Sequence, residues 1–315
     1  MKKYDVLVVG ELNVDLILNG IEGFPQIGKE VIARDMQLVM GSSSAIFASN
    51  LSVLGANVAF LGKIGQDIFG ELVSNSLQNK GVHTAFMVQS DQLKTGATLV
   101  LNYGEDRAMA TYPGAMESLS ASDISSEILT QCHHLHISSI FLQARIHQKL
   151  LEILKLAKSL NLSTSIDPQW DPAEKWDLNL HELLPFVDVF LPNIQEFTAL
   201  TARENLEEAL DSVKDKVNTL AVKMGNKGSY GYKAGQDLQV DPFMNRQVVD
   251  AIGAGDSFNA GFIYQYLQKA ELEACLRFGN LMGAINTTAV GGTSAFESMG
   301  AVKQLAKKRF NYVIK

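Results

Sequence analysis

Short apolar runs recur along this chain with amphipathic segments between them, and that alternation constrains the fold more than any other feature. The first run, DVLVVG (5–10), is continuously apolar and stops at a glycine. A strand without a polar face is buried on both sides, as in a parallel sheet with helices above and below it. Runs of this kind recur at 57–65, 133–140, 162–168, 187–193 and 219–225. Between them, 42–56, 67–82 and 146–161 carry apolar residues at helical spacing. Further helices are predicted from 194, over 254–269 and over 272–290. This order predicts an α/β fold with a doubly wound, mostly parallel sheet.

Two stretches break the rhythm. Residues 12–36 and 92–114 alternate apolar and polar positions with turns and no helical spacing, which predicts a small antiparallel sheet. Set over the carboxyl ends of the main strands, it would form a β lid. The main α/β domain is then 1–11, 37–91 and 115–315, with 12–36 and 92–114 as the lid. A chain of 315 residues suits one large domain with such an appendage.

Composition narrows the partners. At 46% hydrophobic and 19% charged the chain can fill a large core and is not of the disordered class. Its net charge is −7, and the densest basic stretch, KQLAKKRF (303–310), reads as the solvated last turn of a helix. No nucleic-acid partner is predicted. The longest uncharged stretch, 278–296, is rich in Gly, Asn, Thr and Ser, a poor membrane span. The N-terminal apolar run turns acidic too soon for a signal peptide. Cys132 and Cys275 lie too far apart for a CxxC site, which fits a reducing, cytoplasmic setting. In HHLH (133–136), His134 and His136 share a strand face without a third ligand, so they read as structural histidines.

The chemistry concentrates in VVDAIGAGDSFNAG (248–261). Gly253, Ala254 and Gly255 would leave backbone N–H groups open at a helix start, where the helix dipole also favours an anion. Asp256 beside them could take a proton from a hydroxyl nucleophile. Equally, Asp256 could cap the helix while the glycines pack closely. Spacing alone leaves both readings open. Two other phosphate motifs fail. GFPQIGKE (23–30) puts Glu30 where a P-loop needs a magnesium-binding hydroxyl. The residues after the first strand, ELNVD, lack the dinucleotide fingerprint, which disfavours an NAD-dependent oxidoreductase.

Five segments in order resemble the ribokinase/PfkB family of carbohydrate kinases. Asp250-Ala251-Ile252-Gly253-Ala254-Gly255-Asp256 is similar to its D-T-x-G-A-G-D motif. GSSSAIFASNLSVLGA keeps Gly41 of its Gly-Gly element, with Ser42 in the second place. GKIGQDIFGE (62–71), NIQE (193–196) and VKMGNKGSYGY (222–232) resemble three further motifs. The resemblance implies transfer of the ATP γ-phosphoryl group to a hydroxymethyl group of a sugar, on a ribokinase-like fold with a β lid. It implies that Asp256 is the catalytic base and that the amides of Gly253, Ala254 and Gly255 form the anion hole. Asp15, Gly41, Ser42 and Arg107 would meet the sugar. Asn193 and Glu196 would organise Mg²⁺ indirectly. Lys223, Gly225, Gly228 and Asn280 would line the nucleotide side, although a Thr is frequent at the position of Lys223. A monovalent cation such as K⁺ would sit near Asp250, Ile252 and Gly292. Lid strands would pair between two copies of the chain.

Departures bear on the substrate. DPQWDPAEKW (167–176) has Gln169 and Asp171 where keto-acid kinases of the family carry Asn and Arg. A carboxylate there would repel an acidic acceptor. Ile46 replaces an Asn usual in ribokinase. The expected acceptor is therefore a small neutral sugar, fructose- or ribose-like. A nucleoside kinase and a 2-keto-3-deoxygluconate-type kinase are the alternatives within the class. A non-catalytic sugar- or nucleotide-binding protein on the same fold is the alternative outside it.

Overall fold

Eight strands form the main sheet of the computed structural model, which describes residues 2–103 and 106–314. Gly104 and Glu105 of the predicted lid, and the terminal Met1 and Lys315, lie outside the described residues. Six strands run parallel: β1 (Tyr4–Val9), β4 (Val58–Leu61), β9 (Cys132–Ser138), β10 (Ser163–Asp167), β11 (Val189–Phe190) and β12 (Thr219–Lys223). β13 (Ser229–Lys233) and β14 (Gln236–Val240) extend one edge as an antiparallel hairpin, giving the order β14-β13-β12-β11-β10-β9-β1-β4. β11 is shorter than the predicted 187–193 because Pro192 has no N–H for the ladder. Its carbonyl still accepts from Lys223 N–H at 3.0 Å.

Helices cover both faces, as continuously apolar strands require. Val6 and Val8 of β1 point to one side, onto α1 (Ser43–Val53), α2 (Ile68–Asn79), α9 (Ala254–Leu267), α10 (Leu272–Asn286) and α11 (Met299–Phe310). Leu7 and Val9 point to the other. There they meet α3 (Ser126–Leu129), α4 (Ala144–His147), α5 (Leu150–Ser159), α6 (Leu180–Leu183), α7 (Ile194–Thr201) and α8 (Leu206–Val213). Lys307, Lys308 and Arg309 occupy the last turn of α11, as the basic C-terminal stretch suggests. No helix among the described residues is long and apolar enough to cross a membrane.

The irregular stretches form a second sheet, ordered β3-β2-β7-β8: β2 (Asn13–Asn19), β3 (Asp35–Met40), β7 (Gly96–Tyr103) and β8 (Asp106–Tyr112). A short ribbon of β5 (Lys63–Gly65) and β6 (Val88–Ser90) lies between the second hairpin and the body. The outer pairs β2–β3 and β7–β8 are antiparallel. The central pair β2–β7 is parallel, because both hairpins leave the body in the same direction. Asp15, Thr98 and Thr111 share one face of this sheet, and Leu16, Leu38 and Leu99 share the other.

α9 and α10 approach closely through glycine. A Cβ on Gly261 would lie 2.6 Å from Met282 Cγ and 2.9 Å from the Phe278 carbonyl oxygen. Helix propensity favours alanine over glycine by about 1 kcal/mol, whereas overpacking costs about 1–3 kcal/mol. The contact therefore decides the sign: Gly261→Ala is expected to lower the thermal unfolding midpoint, read by calorimetry.

Candidate active site

α9 begins in a turn that only glycine tolerates. Gly253 caps it at φ 76°, and a Cβ there would lie 2.6 Å from Gly292 Cα. The Ala254 N–H donates to Ala251 O at 3.2 Å, and the Ser257 N–H is the first to close onto the helix, at Gly253 O (2.9 Å). The amides between, those of Gly255 and Asp256, have no acceptor within the helix. The open donors at this end are thus Gly253, Gly255 and Asp256, since the turn uses the Ala254 amide. Three buried side chains hold the turn. Asn50 Nδ2 donates to Gly292 O and to Ser257 Oγ, both at 2.9 Å. Ser257 Oγ donates to Gly253 O (2.8 Å) and lies 3.0 Å from Asn286 Oδ1, while Asn286 Nδ2 donates to Ile252 O (2.6 Å).

Asp256 sits in the first turn of α9 with only 6% of its surface exposed. Gln169 Nε2 donates to its Oδ1 (3.0 Å) and also to Asp167 Oδ2 (2.7 Å). Burial raises the Asp256 pKa well above its ordinary value; Asp167 adds to the rise and Lys223 opposes it. Asp167, at the carboxyl end of β10, is fully buried. Its Oδ2 also receives Lys223 Nζ (3.1 Å) and the amide of Asn259. Burial acts to lower the Lys223 pKa, but Asp167, Glu196 and Asp256 outweigh it and hold the ammonium above its ordinary value.

Two cavities meet at this point. The larger, about 620 Å³, is walled by both sheets and contains Asp15, Ser42, Arg107, Asn193, Glu196 and Asp256. Ile46, Val100, Met109 and Trp170 give it apolar patches. The smaller, about 250 Å³, takes Gly228 and Asn280. Lys223, Gly225 and Gly255 line both. Asn280 Nδ2 donates to Val240 O and Asp241 O, at 3.1 Å each, which fixes its side chain. Gly41 lies behind Asp15, where a Cβ would meet Asp15 Cγ at 2.6 Å. Gly253 lines the larger cavity and Ala254 the smaller.

The second sheet carries Asp15 into the larger cavity. Asn13 Nδ2 donates to Asp15 Oδ1 (2.9 Å) and to Thr98 Oγ1 (3.0 Å), which orients the carboxylate. Burial raises the Asp15 pKa to about 6, against the Asn13 bond and the charge of Arg107. Ser42 takes the left-handed φ of 71° at a position suited to glycine. Its hydroxyl donates to Glu11 O (2.6 Å) and accepts from Ala45 N–H (2.9 Å), which stabilises that backbone. Glu11 is buried, and burial raises its pKa.

Asn193 and Glu196 form a capping box on α7, the plain alternative for that motif. Asn193 N–H donates to Glu196 Oε2 (2.8 Å), and Glu196 N–H to Asn193 Oδ1 (2.9 Å). Both also line the larger cavity, and burial followed by the charge of Asp167 raises the Glu196 pKa to about 7. The described residues contain no group of three or more His, Cys, Asp or Glu able to hold a metal ion. Glu196 Oε2 and Oε1 already accept from the Asn193 backbone and side-chain amides, so the pair fits a Mg²⁺ reached through water. The residues named for K⁺ already hold one hydrogen bond at each oxygen. Asp250 Oδ1 and Oδ2 accept from Ile252 N–H (2.9 Å) and Gly291 N–H (2.8 Å), and the Ile252 and Gly292 carbonyls accept from Asn286 and Asn50.

Asp171 corrects a sequence argument. It is buried and accepts from the amides of Ala173 (2.9 Å), Lys175 (2.8 Å) and Trp176 (2.8 Å), so it folds its own loop and does not face the cavity. The repulsion assigned to it disappears. Asp167, Asn259 and Glu11 escaped the sequence reading; the one available signal was Asp167-Pro168 at a strand's carboxyl end, where α/β sheets place ligands. His134 and His136 are buried and share the Ser165 hydroxyl, at 2.6 and 2.7 Å.

Asp256→Asn tests the expectation that Asp256 is a general base, which predicts turnover lower by about 10²–10⁴-fold, the usual contribution of such a group. Its effect on stability has the opposite sign. A raised folded-state pKa means that Asp256 destabilises the fold in full above that pKa, and progressively less as pH falls from it to the unfolded-state value. Asparagine never ionises. Thermal scans should show the variant more stable than the parent at neutral pH, with the gap closing as pH falls toward 3.8, the ordinary carboxylate value.

Residues 3–299 match the family described as pfkB family carbohydrate kinase. A 5-dehydro-2-deoxygluconokinase of Lacticaseibacillus casei is 28% identical over 325 aligned positions, 98% of this chain and 97% of the relative. The structure of Arabidopsis thaliana ribokinase complexed with ribose and ATP superposes with a TM-score of 0.81 at 25% identity, covering 97% of this chain and 99% of that one. Fructokinase with bound ATP from Xylella fastidiosa has the same fold, with a TM-score of 0.82 at 22% identity over 98% and 99% of the two chains.

Proposed function

The chain belongs to the pfkB family of carbohydrate kinases, and from that premise we propose that it transfers the γ-phosphoryl group of ATP to a hydroxymethyl group of a small neutral sugar, fructose- or ribose-like. It is a phosphotransferase acting on an alcohol of the sugar or nucleoside kind. The observation that carries the finer reading is the buried carboxylate of Asp256 beside the open amides of α9, in a cavity walled by both sheets.

Each part has a task. Asp256 accepts the proton of the acceptor hydroxyl, and its raised pKa suits it to hold that proton. The Gly255 and Asp256 amides hold the charge that spreads over the transferring group. Asp15, aimed by Asn13, accepts from sugar hydroxyls, with Gly41 and Ser42 shaping the backbone behind it and Arg107 at the rim. Gly225, Gly228 and Asn280 line the adenine end. Mg²⁺, held by the phosphates with Asn193 and Glu196 behind its waters, supplies charge neutralisation.

Ile46, Val100, Met109 and the half-exposed Trp170 favour a nucleoside as the second reading, since their apolar surface suits a base. With Asp171 turned away, Arg107 also keeps a keto sugar acid in view, as the 5-dehydro-2-deoxygluconokinase relative illustrates. An ATP-coupled assay over neutral sugars, sugar acids and nucleosides is expected to give the highest kcat/KM with a neutral sugar. Highest turnover with a nucleoside or an acid would overturn that choice. Absence of turnover with all of them would favour a non-catalytic binding protein.

The partner is a second copy of the chain, meeting it through the lid. The face of the second sheet turned from the cavity is apolar, with Leu38, Leu16, Leu99 and Ala110 in one row and Met36, Leu18, Leu101 and Ala108 in the next. Met36 is 63% and Leu38 40% exposed. Light scattering should report a dimer, and Leu38→Glu/Leu99→Glu a monomer; a monomeric parent would sink this assignment. Both thiols are free and buried, which supports a reducing, cytoplasmic setting.

A further inference from the structure

We propose that Lys223 is a catalytic residue of the phosphoryl transfer, its ε-ammonium contacting the γ-phosphoryl group where the two cavities join, with Asp167 and Asn259 as positioning residues. The inference rests on the kinase reading and adds a role that reading does not contain.

The first observation is place. Four residues line both cavities, Lys223, Gly225, Ala251 and Gly255, and Lys223 is the one charged side chain among them. A group passing from the nucleotide cavity to the acceptor cavity passes its ammonium. The second is direction. A Cβ built on Gly255 would lie 3.8 Å from Lys223 Nζ, so the ammonium stands beside the residue whose amide is open at the start of α9. Amide and ammonium thus come from a helix end and from the carboxyl end of β12, and both residues line both cavities.

The third is support. Lys223 Nζ lies 3.1 Å from Asp167 Oδ2 and 3.3 Å from Asn259 Oδ1. Asn259 and Gln169 donate to the same Asp167 oxygen, so the ion pair is held from three sides. Asp167 Oδ1 is buried without a partner among the described residues.

The fourth is charge. Among the described residues, Lys223 is the only basic one lining the smaller cavity, and the larger adds only Arg107, on the second sheet. Asp167, Glu196 and Asp256 all act on Lys223, so carboxylates outnumber the ammonium before any nucleotide arrives. A nucleotide triphosphate needs a cation at this junction, and Lys223 is the one the main body supplies.

In the step itself the acceptor oxygen bonds to the γ-phosphorus as the bond to the β,γ-bridging oxygen breaks. That electron pair leaves on ADP, and the acceptor proton goes to Asp256. Lys223 keeps its protons and donates hydrogen bonds to a γ-oxygen, strongest as charge collects there.

Calorimetry on the full chain with two probes tests this: MgADP, and the Mg²⁺ complex of β,γ-imido-ATP, which adds the γ-phosphoryl group. Lys223→Met is expected to weaken the triphosphate analogue by roughly 10- to 150-fold, the span of one charge-assisted hydrogen bond, and MgADP by far less. Lys223→Arg should restore the difference. Removing the ammonium also leaves Asp167 unpaired, so Lys223→Met/Asp167→Asn is measured alongside and should show the same selective loss in a neutral site. Equal weakening of both probes, or of neither, would overturn the proposal. A parent that binds neither probe would overturn the kinase reading beneath it.

Discussion

The left-handed turn at Gly253 is the constraint on which the site depends. Its φ of 76° and the close approach of Gly292 together exclude a side chain there. That conformation directs the first open amides of α9 into the space between the sheets. Left alone, a glycine turn samples many states. Here Asn50 from α1, Ser257 from α9 and Asn286 from α10 hold the carbonyls of Ile252, Gly253 and Gly292 with buried hydrogen bonds. Three helices thus make rigid what the glycine alone leaves free, and preorganised donors need no rearrangement during reaction.

The same region concentrates unfavourable charge. Glu11, Asp15, Glu196 and Asp256 all have pKa values pushed upward, with burial the leading cause in each. A fold selected only for stability would replace them with neutral residues. Their retention around two joined cavities, with one buried ammonium among them, marks a place where stability is given up for chemistry. The contrast with His134 and His136 is instructive. Burial lowers both pKa values, so the imidazoles stay neutral: His134 lies between two serine hydroxyls, while His136 holds Ser165 through Nδ1 and stacks on Phe47.

Much of this was legible in the sequence, for identifiable reasons. Unbroken apolar runs fixed the parallel sheet because burial on both faces permits no polar alternation. Gly253 and Asp256 stood out because a helix rarely begins so bare. The network behind them was not legible. Asp167, Lys223 and Asn259 come from β10, β12 and α9, and their meeting depends on strand order, which local pattern does not encode. Asp171 shows the converse error: its type suggested electrostatic repulsion, while its position in an Asx-type turn gave it three loop amides instead. The parallel centre of the second sheet was missed because alternation reports a half-buried strand but not its direction.

The site is divided between a rigid part and a part set on a separate sheet. Asp256, Lys223 and the amides of α9 belong to elements packed into the main core. Asp15 and Arg107 belong to β2 and β8, joined to that core through the hairpin roots near Leu12 and Thr95. A rigid shift of the second sheet would therefore alter the placement of Asp15 and the cavity volume while leaving Asp256 and the amides of α9 as they are. This separates two requirements that conflict in a single rigid pocket. The phosphoryl-transfer groups must be fixed in advance, whereas the acceptor must enter and water must then be shut out. Under the proposed reading, an acceptor held by both Asp15 and Asp256 would span the two parts, so any shift of the second sheet would be tied to acceptor binding.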